Sequence, residues 1–351
     1  MLKKLFIAMS NKTTRRTFII GSVAAAATVA STKTLSQKSD LGEAEALRDR
    51  GFPEALRNQT LQSKISIPQS MPERVLGKTN LSLPIFGLGG AGQTPLSKER
   101  QEKEAIALVE RALALGVRYY DTAADYGPSE EYFGKILPDY RSEIFLNSKT
   151  AARDRDGAWR DLERSLQRLN TDYLDAWQLH HVSFQEELDK IFSQNGAIKA
   201  LEEAKEQKLV KFLGITGHHE PDIIAAGLER YPFDTTLVSL NAADIHHPRP
   251  FAPTVLPVAK ARNVGVIAMK VPAYGRLFKA GILEGMQQAM GYTLSLSGVH
   301  CCIIAAENPE QLESNVQVAQ AFQALNETEM KAIEQLTANA GEDGAFFRKW
   351  T

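Results

Sequence analysis

The stretch Gly116-Val-Arg-Tyr-Tyr120-Asp121-Thr-Ala-Ala-Asp125-Tyr126-Gly-Pro-Ser-Glu130 holds one instance of the pattern that decides the fold. Val117–Tyr120 is a run of β-branched and aromatic residues and reads as a short strand, which Gly127-Pro128 closes before an amphipathic stretch from Ser129 to Leu137. Asp121 and Tyr126 therefore fall on a strand-to-helix loop. A carboxylate at the C-terminal end of a strand can hold a cation. A loop tyrosine can reach a substrate and act as an acid once a positive charge lowers its pKa from about 10.

The same rhythm of apolar run, break and helical pattern occurs eight times from residue 85 onward. The strand segments are Ile85–Gly89, Val117–Tyr120, Glu143–Ser148, Tyr173–Leu179, Val210–Ile215, Thr235–Leu240, Val264–Met269 and Val299–Ala305. The helical patterns after them are Ser97–Leu115, Ser129–Leu137, Asp156–Leu169, Phe184–Gln207, Glu220–Glu229, Ala252–Arg262, Gly281–Ser295 and Pro309–Leu325, with an extra helix near Glu327–Ala338. Strands that are apolar throughout and joined by helices form a parallel sheet covered on both faces. Eight such units in about 240 residues predict a closed (β/α)8 TIM barrel, an α/β fold. Before it, Arg74–Leu83 reads as a β-hairpin turning at Gly77-Lys-Thr-Asn80 and plugging the barrel bottom. Gly87-Leu-Gly89-Gly-Ala-Gly92 also fits the Gly-x-Gly-x-x-Gly pattern of a doubly wound dinucleotide fold. There, however, a helix starts at once, and here Gln93-Thr-Pro95-Leu-Ser97 intervenes. Gly89 and Gly90 instead let backbone approach a ligand at the barrel mouth.

At 351 residues, with 43% hydrophobic and 24% charged residues, the chain has the composition of a soluble globular protein. Its formal charge of −1 hides five Lys/Arg in residues 1–30; beyond them 36 bases face 42 acids with no basic block, which argues against a nucleic-acid partner. Cys301-Cys302 lie in an apolar run and point to opposite faces of a strand, which disfavours a disulfide. His180-His181, His218-His219 and His246-His247 would likewise face apart on strands, and no metal-ligand spacing appears, so no metal is expected.

Arg15-Arg16 precede thirteen mildly hydrophobic residues, Phe18–Ala30, and the segment resembles a twin-arginine export signal. Thirteen residues fall short of the about 20 needed to span a bilayer, so no stable membrane span is expected. An ordinary secretory signal with two arginines is the alternative. The predicted organisation is a signal peptide over 1–30, and a largely irregular linker over 31–72 with one short helix within Leu41–Leu56. The barrel occupies 73–340 and a tail 341–351.

In a barrel, residues just past the strand ends converge on one rim. Asp121 and Tyr126 arrive from the second barrel strand, Lys149 from the third and His180 from the fourth. Lys149, kept charged by Asp121, would lower the Tyr126 pKa, and His180 would hydrogen-bond a substrate oxygen. A site in which Tyr126 protonates a carbonyl oxygen, with neither metal nor covalent nucleophile, needs a hydride at carbon and hence a nicotinamide cofactor.

Gly116–Ala123, Tyr126–Glu130, Ser148-Lys149-Thr150 and Leu174–His180 together make residues 73–340 similar to the aldo-keto reductase superfamily. The resemblance implies reduction of a small aldehyde or ketone, with Tyr126 as proton donor, Asp121 and Lys149 tuning it, and His180 orienting the carbonyl. It also implies a cofactor cleft. Thr216-Gly217 resembles the turn that holds the carboxamide, with Asn241 compensating for the amide that Gly217 lacks. Leu237 stands where a glutamine is common and Met269 where an aromatic ring stacks on nicotinamide, while Lys270, Gly275 and Arg276 belong to a pyrophosphate loop. Asp121 and Asn315 complete the cleft, Asn315 at the adenine. Ala305 and Gln311 replace the cations that bind a 2′-phosphate, leaving Lys270 and Arg276 as substitutes and NADP(H) only slightly ahead of NAD(H). Phe346, Phe347 and Trp350 either line the mouth or dock on the barrel's outside. The expectation is an exported, periplasmic, monomeric NAD(P)H-dependent carbonyl reductase that uses the export machinery. A cofactor-binding sensor without turnover is the alternative.

Overall fold

Alternation within each apolar run sends every second side chain inward, and that rule builds the barrel seen in the computed structural model, which describes residues 70–350. The predicted signal peptide, most of the linker and its short helix lie outside the described residues. A small antiparallel hairpin, β1 (Glu73–Val75) and β2 (Ser82–Pro84), precedes eight strands. These are β3 (Phe86–Gly89), β4 (Tyr119–Asp121), β5 (Phe145–Thr150), β6 (Leu174–Leu179), β7 (Val210–Gly217), β8 (Thr235–Ser239), β9 (Gly265–Met269) and β10 (Val299–Ile304). All neighbours pair in parallel and β10 returns to β3, closing the barrel.

Two apolar layers result. Tyr119, Phe145, Ala176, Leu237, Ile267 and Cys301 fill the inside, while Tyr120, Leu146, Trp177, Val238 and Cys302 face the surrounding helices. The two cysteines are buried and free on opposite faces of β10, as the strand reading requires. The hairpin closes the floor: Leu76 is fully buried in the inner layer, and the Lys78 amide donates to Asn263 O at 2.7 Å. Gly77 makes this approach possible. It sits at φ 50°, and a Cβ there would lie 2.3 Å from Gly265 N.

Three helical expectations are adjusted. The pattern over Phe184–Gln207 splits into Gln185–Ile191 and Ala197–Glu206, because Gly196 turns so tightly that a Cβ would lie 2.1 Å from Ile191 O. After β3 comes a short 3-10 turn, Pro95–Ser97, and the α-helix starts only at Glu102, so the glycine run opens no dinucleotide-type helix. The Gly281–Ser295 pattern becomes helical at Met286. No helix among the described residues is long and apolar enough to cross a membrane.

The C-terminal segment folds back over the barrel as a short helix, Gly341–Ala345, and a 3-10 turn, Phe346–Lys349. Asn241 Nδ2 donates to Gly344 O at 2.9 Å, and the Arg348 guanidinium pairs with buried Asp244. Truncating the floor plug, Leu76→Ala, should cost about 2–5 kcal/mol in denaturant unfolding. A loss under about 1 kcal/mol would mean that Leu76 does not carry the floor.

Candidate active site

Inward positions that are apolar near the floor turn polar toward the C-terminal strand ends. Asp121 ends β4, Asn147 and Lys149 follow Phe145 on β5, and Gln178 follows Ala176 on β6. The Lys149 side chain has no exposure, and its ammonium donates to Asp121 Oδ2 at 2.6 Å and to Thr122 O at 2.7 Å. Asn147 Nδ2 donates to Asp121 Oδ1 at 2.6 Å and to Gln178 Oε1 at 3.2 Å, and Gln178 Nε2 donates to Thr235 Oγ1 at 3.1 Å. A continuous polar layer thus spans β4 to β8 beneath the rim. Sequence reasoning missed Asn147, Gln178 and Thr235, although each interrupts an inward-facing apolar series.

Tyr126 and His180 meet above this layer. The Tyr126 hydroxyl and His180 Nε2 are 3.1 Å apart, with the rings edge to face. The Lys149 ammonium lies 4.8 Å from the Tyr126 ring centroid. The expected lowering of the phenol's pKa is not found. Burial, followed by the charges of Asp121 and Asp125 and by Tyr274, pushes it well above 10. Burial dominates, and Asp121, in contact with Lys149, offsets the ammonium's field, so the nearby carboxylates add to the rise. Tyr126 is therefore a fully protonated acid.

His180 is 8% exposed, and burial lowers its pKa to about 4 despite the hydrogen bond and charge of Asp125. His180 Nδ1 lies 3.1 Å from the Asp125 carboxylate. Burial acts upward on Asp125, but its hydrogen bond to His180 and the nearby positive groups outweigh this and bring it to about 2. His180 and His181 do not face apart as expected, since their ring centroids are 4.7 Å apart. They follow the end of β6, where His181 takes φ 39° and strand alternation no longer applies. Their ligand atoms and that of Asp125 gather within 4.8 Å. His181 Nε2 stands 4.0 Å from Asp125, wider than the roughly 3.3 Å between neighbouring ligands of a tetrahedral ion bound at about 2.0–2.1 Å.

A cleft runs from Tyr126 and Asp121 across the rim to helix Pro309–Gln320. Of the residues expected at a cofactor, Gly89, Asp121, Met269, Lys270, Gly275, Ala305, Gln311 and Asn315 line it, as does Leu237. Five do not. Gly90 is packed against the helix Ser129–Ile136, where a Cβ would lie 2.2 Å from Ser129 Oγ, and Gly217 is packed likewise against Ile224. Thr216 is buried beneath the rim, its carbonyl accepting from the Val182 amide. Asn241 uses both amide atoms elsewhere, donating to Gly344 O and accepting from the Ala243 amide, because it anchors the tail. Arg276 lays its guanidinium 3.8 Å from the Phe346 ring centroid.

Gln93, Tyr274, Phe278, Met286 and Glu307 also line the cleft and were not anticipated. Tyr274 sits in a left-handed run, with Ala273, Tyr274 and Gly275 at φ 45°, 59° and 80°. Its hydroxyl accepts from Lys270 Nζ at 3.0 Å, and Phe346 and Trp350 meet its ring edge to face. These tail aromatics therefore pack against the mouth. Asn315 is 3% exposed, and its Nδ2 has no hydrogen-bond partner in the protein. A buried donor left unpaired on a cleft wall suits a polar ligand such as a nucleotide base.

A parallel eight-stranded barrel with its polar cluster at the C-terminal strand ends defines a TIM-barrel enzyme. The sequence profile of the Aldo/keto reductase family matches residues 85–289, and the chain belongs to that family and is an oxidoreductase. The uncharacterized oxidoreductase YqkF of Bacillus subtilis is 26% identical over 314 residues, 76% of this chain and 97% of its own. L-galactose dehydrogenase of Arabidopsis thaliana is 31% identical over 220 residues, 59% of this chain and 67% of its own. The holo form of aldo-keto reductase AKR11C1 from Bacillus halodurans shares the fold, with a TM-score of 0.65 at 23% identity, over 76% of this chain and 96% of that one.

The neutral imidazole makes stability depend on pH. Between pH 6.5 and about 4 the unfolded chain binds a proton at His180 that the folded protein excludes. This contribution is complete above pH 6.5 and is lost as pH falls through that window. The urea midpoint should therefore fall less steeply from pH 7 to pH 4 in His180→Gln than in the parent. Equal slopes would contradict a neutral buried His180.

Proposed function

We propose that the protein reduces an aldehyde or ketone to an alcohol with a bound nicotinamide dinucleotide, and that Tyr126 donates the proton. The observation that carries this reading is the Tyr126 hydroxyl, protonated and opening onto the cleft beside His180. When bound, the dinucleotide supplies a hydride to the carbonyl carbon. Tyr126 gives its proton to the carbonyl oxygen as negative charge develops there. The phenolate left behind has the Lys149 ammonium near its ring, held by Asp121 and Thr122 O, so the charge forms where a cation already stands. The polar layer of Asn147 and Gln178 fixes the Asp121 carboxylate and so keeps Lys149 from turning away. The similar L-galactose dehydrogenase is named for the opposite direction of such an interconversion.

The cleft supports the cofactor assignment. Met269 and Leu237 offer apolar surface near Tyr126, Lys270 and Gly275 stand at the loop after β9, and Asn315 offers its unpaired amide at the far end. Lys270 has its pKa lowered to about 8 by burial and then by Lys149. A phosphate there would favour the charged form further. Beyond the end of β10 the wall carries Ala305, Gln311, Asn315 and the Glu307 carboxylate, and Arg276 is turned to Phe346. A 2′-phosphate needs charge-assisted donors, and a carboxylate repels it, so this wall favours NAD(H) over the slightly preferred NADP(H) of the sequence reading. The Arg15-Arg16 segment supports export of the folded enzyme with its cofactor to the periplasm.

Tyr126→Phe should lower kcat by about 10²–10⁴-fold in a 340 nm assay with a panel of aldehydes and ketones, leaving nucleotide affinity within about twofold. Unchanged turnover would remove Tyr126 as the donor, and nucleotide binding without turnover of any carbonyl by the parent protein would favour a sensor. Fluorescence titration should give a lower Kd for NADH than for NADPH, and the reverse order would overturn the reading of Glu307 and Gln311.

A further inference from the structure

Lys270 is the first residue past β9, has a left-handed backbone at φ 61°, and stands in the wall of the cleft that also holds Tyr126. Its ammonium nitrogen lies 4.7, 4.9 and 5.7 Å from the ring centroids of Tyr274, Trp350 and Phe347. An ammonium has three N–H groups to satisfy, and the one hydrogen bond it makes among the described residues runs to the Tyr274 hydroxyl at 3.0 Å. The rings attract a cation, but they do not accept its N–H groups as water does. No carboxylate of the described residues is paired with the charge.

Loss of solvent and a neighbouring positive charge are the two conditions that turn a lysine from a cation into a nucleophile. Both act on Lys270, burial first and then Lys149, and together they lower its pKa to about 8. At pH 7 about one Lys270 in ten then carries a free lone pair, against about one in 2,500 for a lysine in water. The other titratable groups nearby leave this unchanged. His218 is neutral, lowered to about 3 by burial and then by Lys270, and burial keeps the Tyr274 hydroxyl protonated. Lys149 cannot take the same role, because its side chain has no exposure and its ammonium is bonded to Asp121 and Thr122 O.

We propose that Lys270 is an imine-forming amine, which in the nucleotide-free protein condenses reversibly with a small aldehyde in the cleft. The neutral nitrogen attacks the carbonyl carbon. A C–N bond forms as the π pair moves to oxygen, and one nitrogen proton passes to that oxygen. In the resulting carbinolamine the C–O bond breaks, and the oxygen leaves as water with the second nitrogen proton. One aldehyde and one amine thus give one imine and one water, with no oxidant or reductant. The Tyr274 hydroxyl, 3.0 Å from Nζ, is placed to pass both protons. A dinucleotide phosphate beside Lys270 would pair with the ammonium and remove the lone pair, while an imine removes the ammonium and fills the space. Adduct and dinucleotide therefore exclude each other. This exclusion rests on the proposed cofactor cleft, whereas the reactivity of the amine does not.

Reductive trapping tests the proposal. The full chain, free of nucleotide, is incubated at pH 7 with propanal and cyanoborohydride, which reduces an imine to a stable secondary amine, and labelled lysines are located by peptide mass mapping. Lys270 should take up label about tenfold faster than any other lysine, less than the ratio of free lone pairs because a less basic amine is a weaker nucleophile. No label at Lys270, or label at surface lysines just as fast, would overturn the proposal. Lys270→Arg, which keeps a cation in the wall, should lose the fast label and retain the slow one; a fast label that persisted would also overturn it. Saturating NAD+, which brings no hydride to consume the aldehyde, should slow the Lys270 label about tenfold once calorimetry shows it bound. An unchanged rate with NAD+ bound would overturn the exclusion. Failure of NAD+ and NADP+ to bind would instead remove the cofactor reading, and the label at Lys270 is read without either.

Discussion

The Lys149–Asp121 ion pair, buried at the barrel's upper rim, is the interaction on which the site depends. Removing two charges from water is costly, several kcal/mol per ion even after relaxation, and mutual attraction offsets this only when the remaining hydrogen-bonding capacity is filled. Here both Asp121 oxygens are used, one by Lys149 and the other by Asn147, and Lys149 also reaches Thr122 O. A well-packed apolar pair of the same volume would often be as stable or more so, so a charged pair in this position is weak support for stability and stronger support for chemistry. In the proposed reaction its chemistry would be to keep a cation beside the Tyr126 ring that costs nothing to reorganise if the phenol ionises.

Burial keeps the phenol from being acidic at rest, and the pair does not undo it. A cation matched by its own carboxylate presents little net field, and Asp125 adds a negative charge on the solvent side. In the proposed reaction the ammonium would stabilise a phenolate only as it forms. Beneath this lies the apolar inner layer of Tyr119, Phe145, Ile267 and Cys301, sealed by Leu76. That dry floor keeps the local dielectric low, which strengthens each contact above it.

The barrel was legible in the sequence because its strands are apolar on both faces, and each observed strand begins and ends within two residues of its expected limits. Asp121, Tyr126, Lys149 and His180 were legible for the same reason, since strand ends tell which residues share a rim. What failed did so on identifiable grounds. The two-residue alternation was applied to His180-His181 past the end of β6, where it no longer holds. Asn241 looked like a cofactor ligand because its partner, Gly344, is 103 residues away. Tyr274 lies between the loop residues expected at a pyrophosphate, Lys270 and Gly275, but its left-handed backbone is written in no local propensity; aromatic residues seldom adopt it.

That left-handed backbone ties the tail to the site. Non-glycine residues at positive φ cost about 1–3 kcal/mol each when held in sparsely populated conformations, and they persist only where surrounding contacts over-determine them. Ala273 and Tyr274 meet that condition through the C-terminal segment. The Tyr274 ring is gripped by Phe346 and Trp350, its hydroxyl by Lys270, and the segment itself by Arg348 on Asp244 and Asn241 on Gly344. Lys270 in turn lies over the rings of Tyr274, Phe347 and Trp350, so one cation is shared between the cleft wall and the tail. The residues after the eighth barrel unit are thus part of the cleft's construction. The wall that Lys270 and Tyr274 present to a ligand is set by contacts formed more than seventy residues later in the chain.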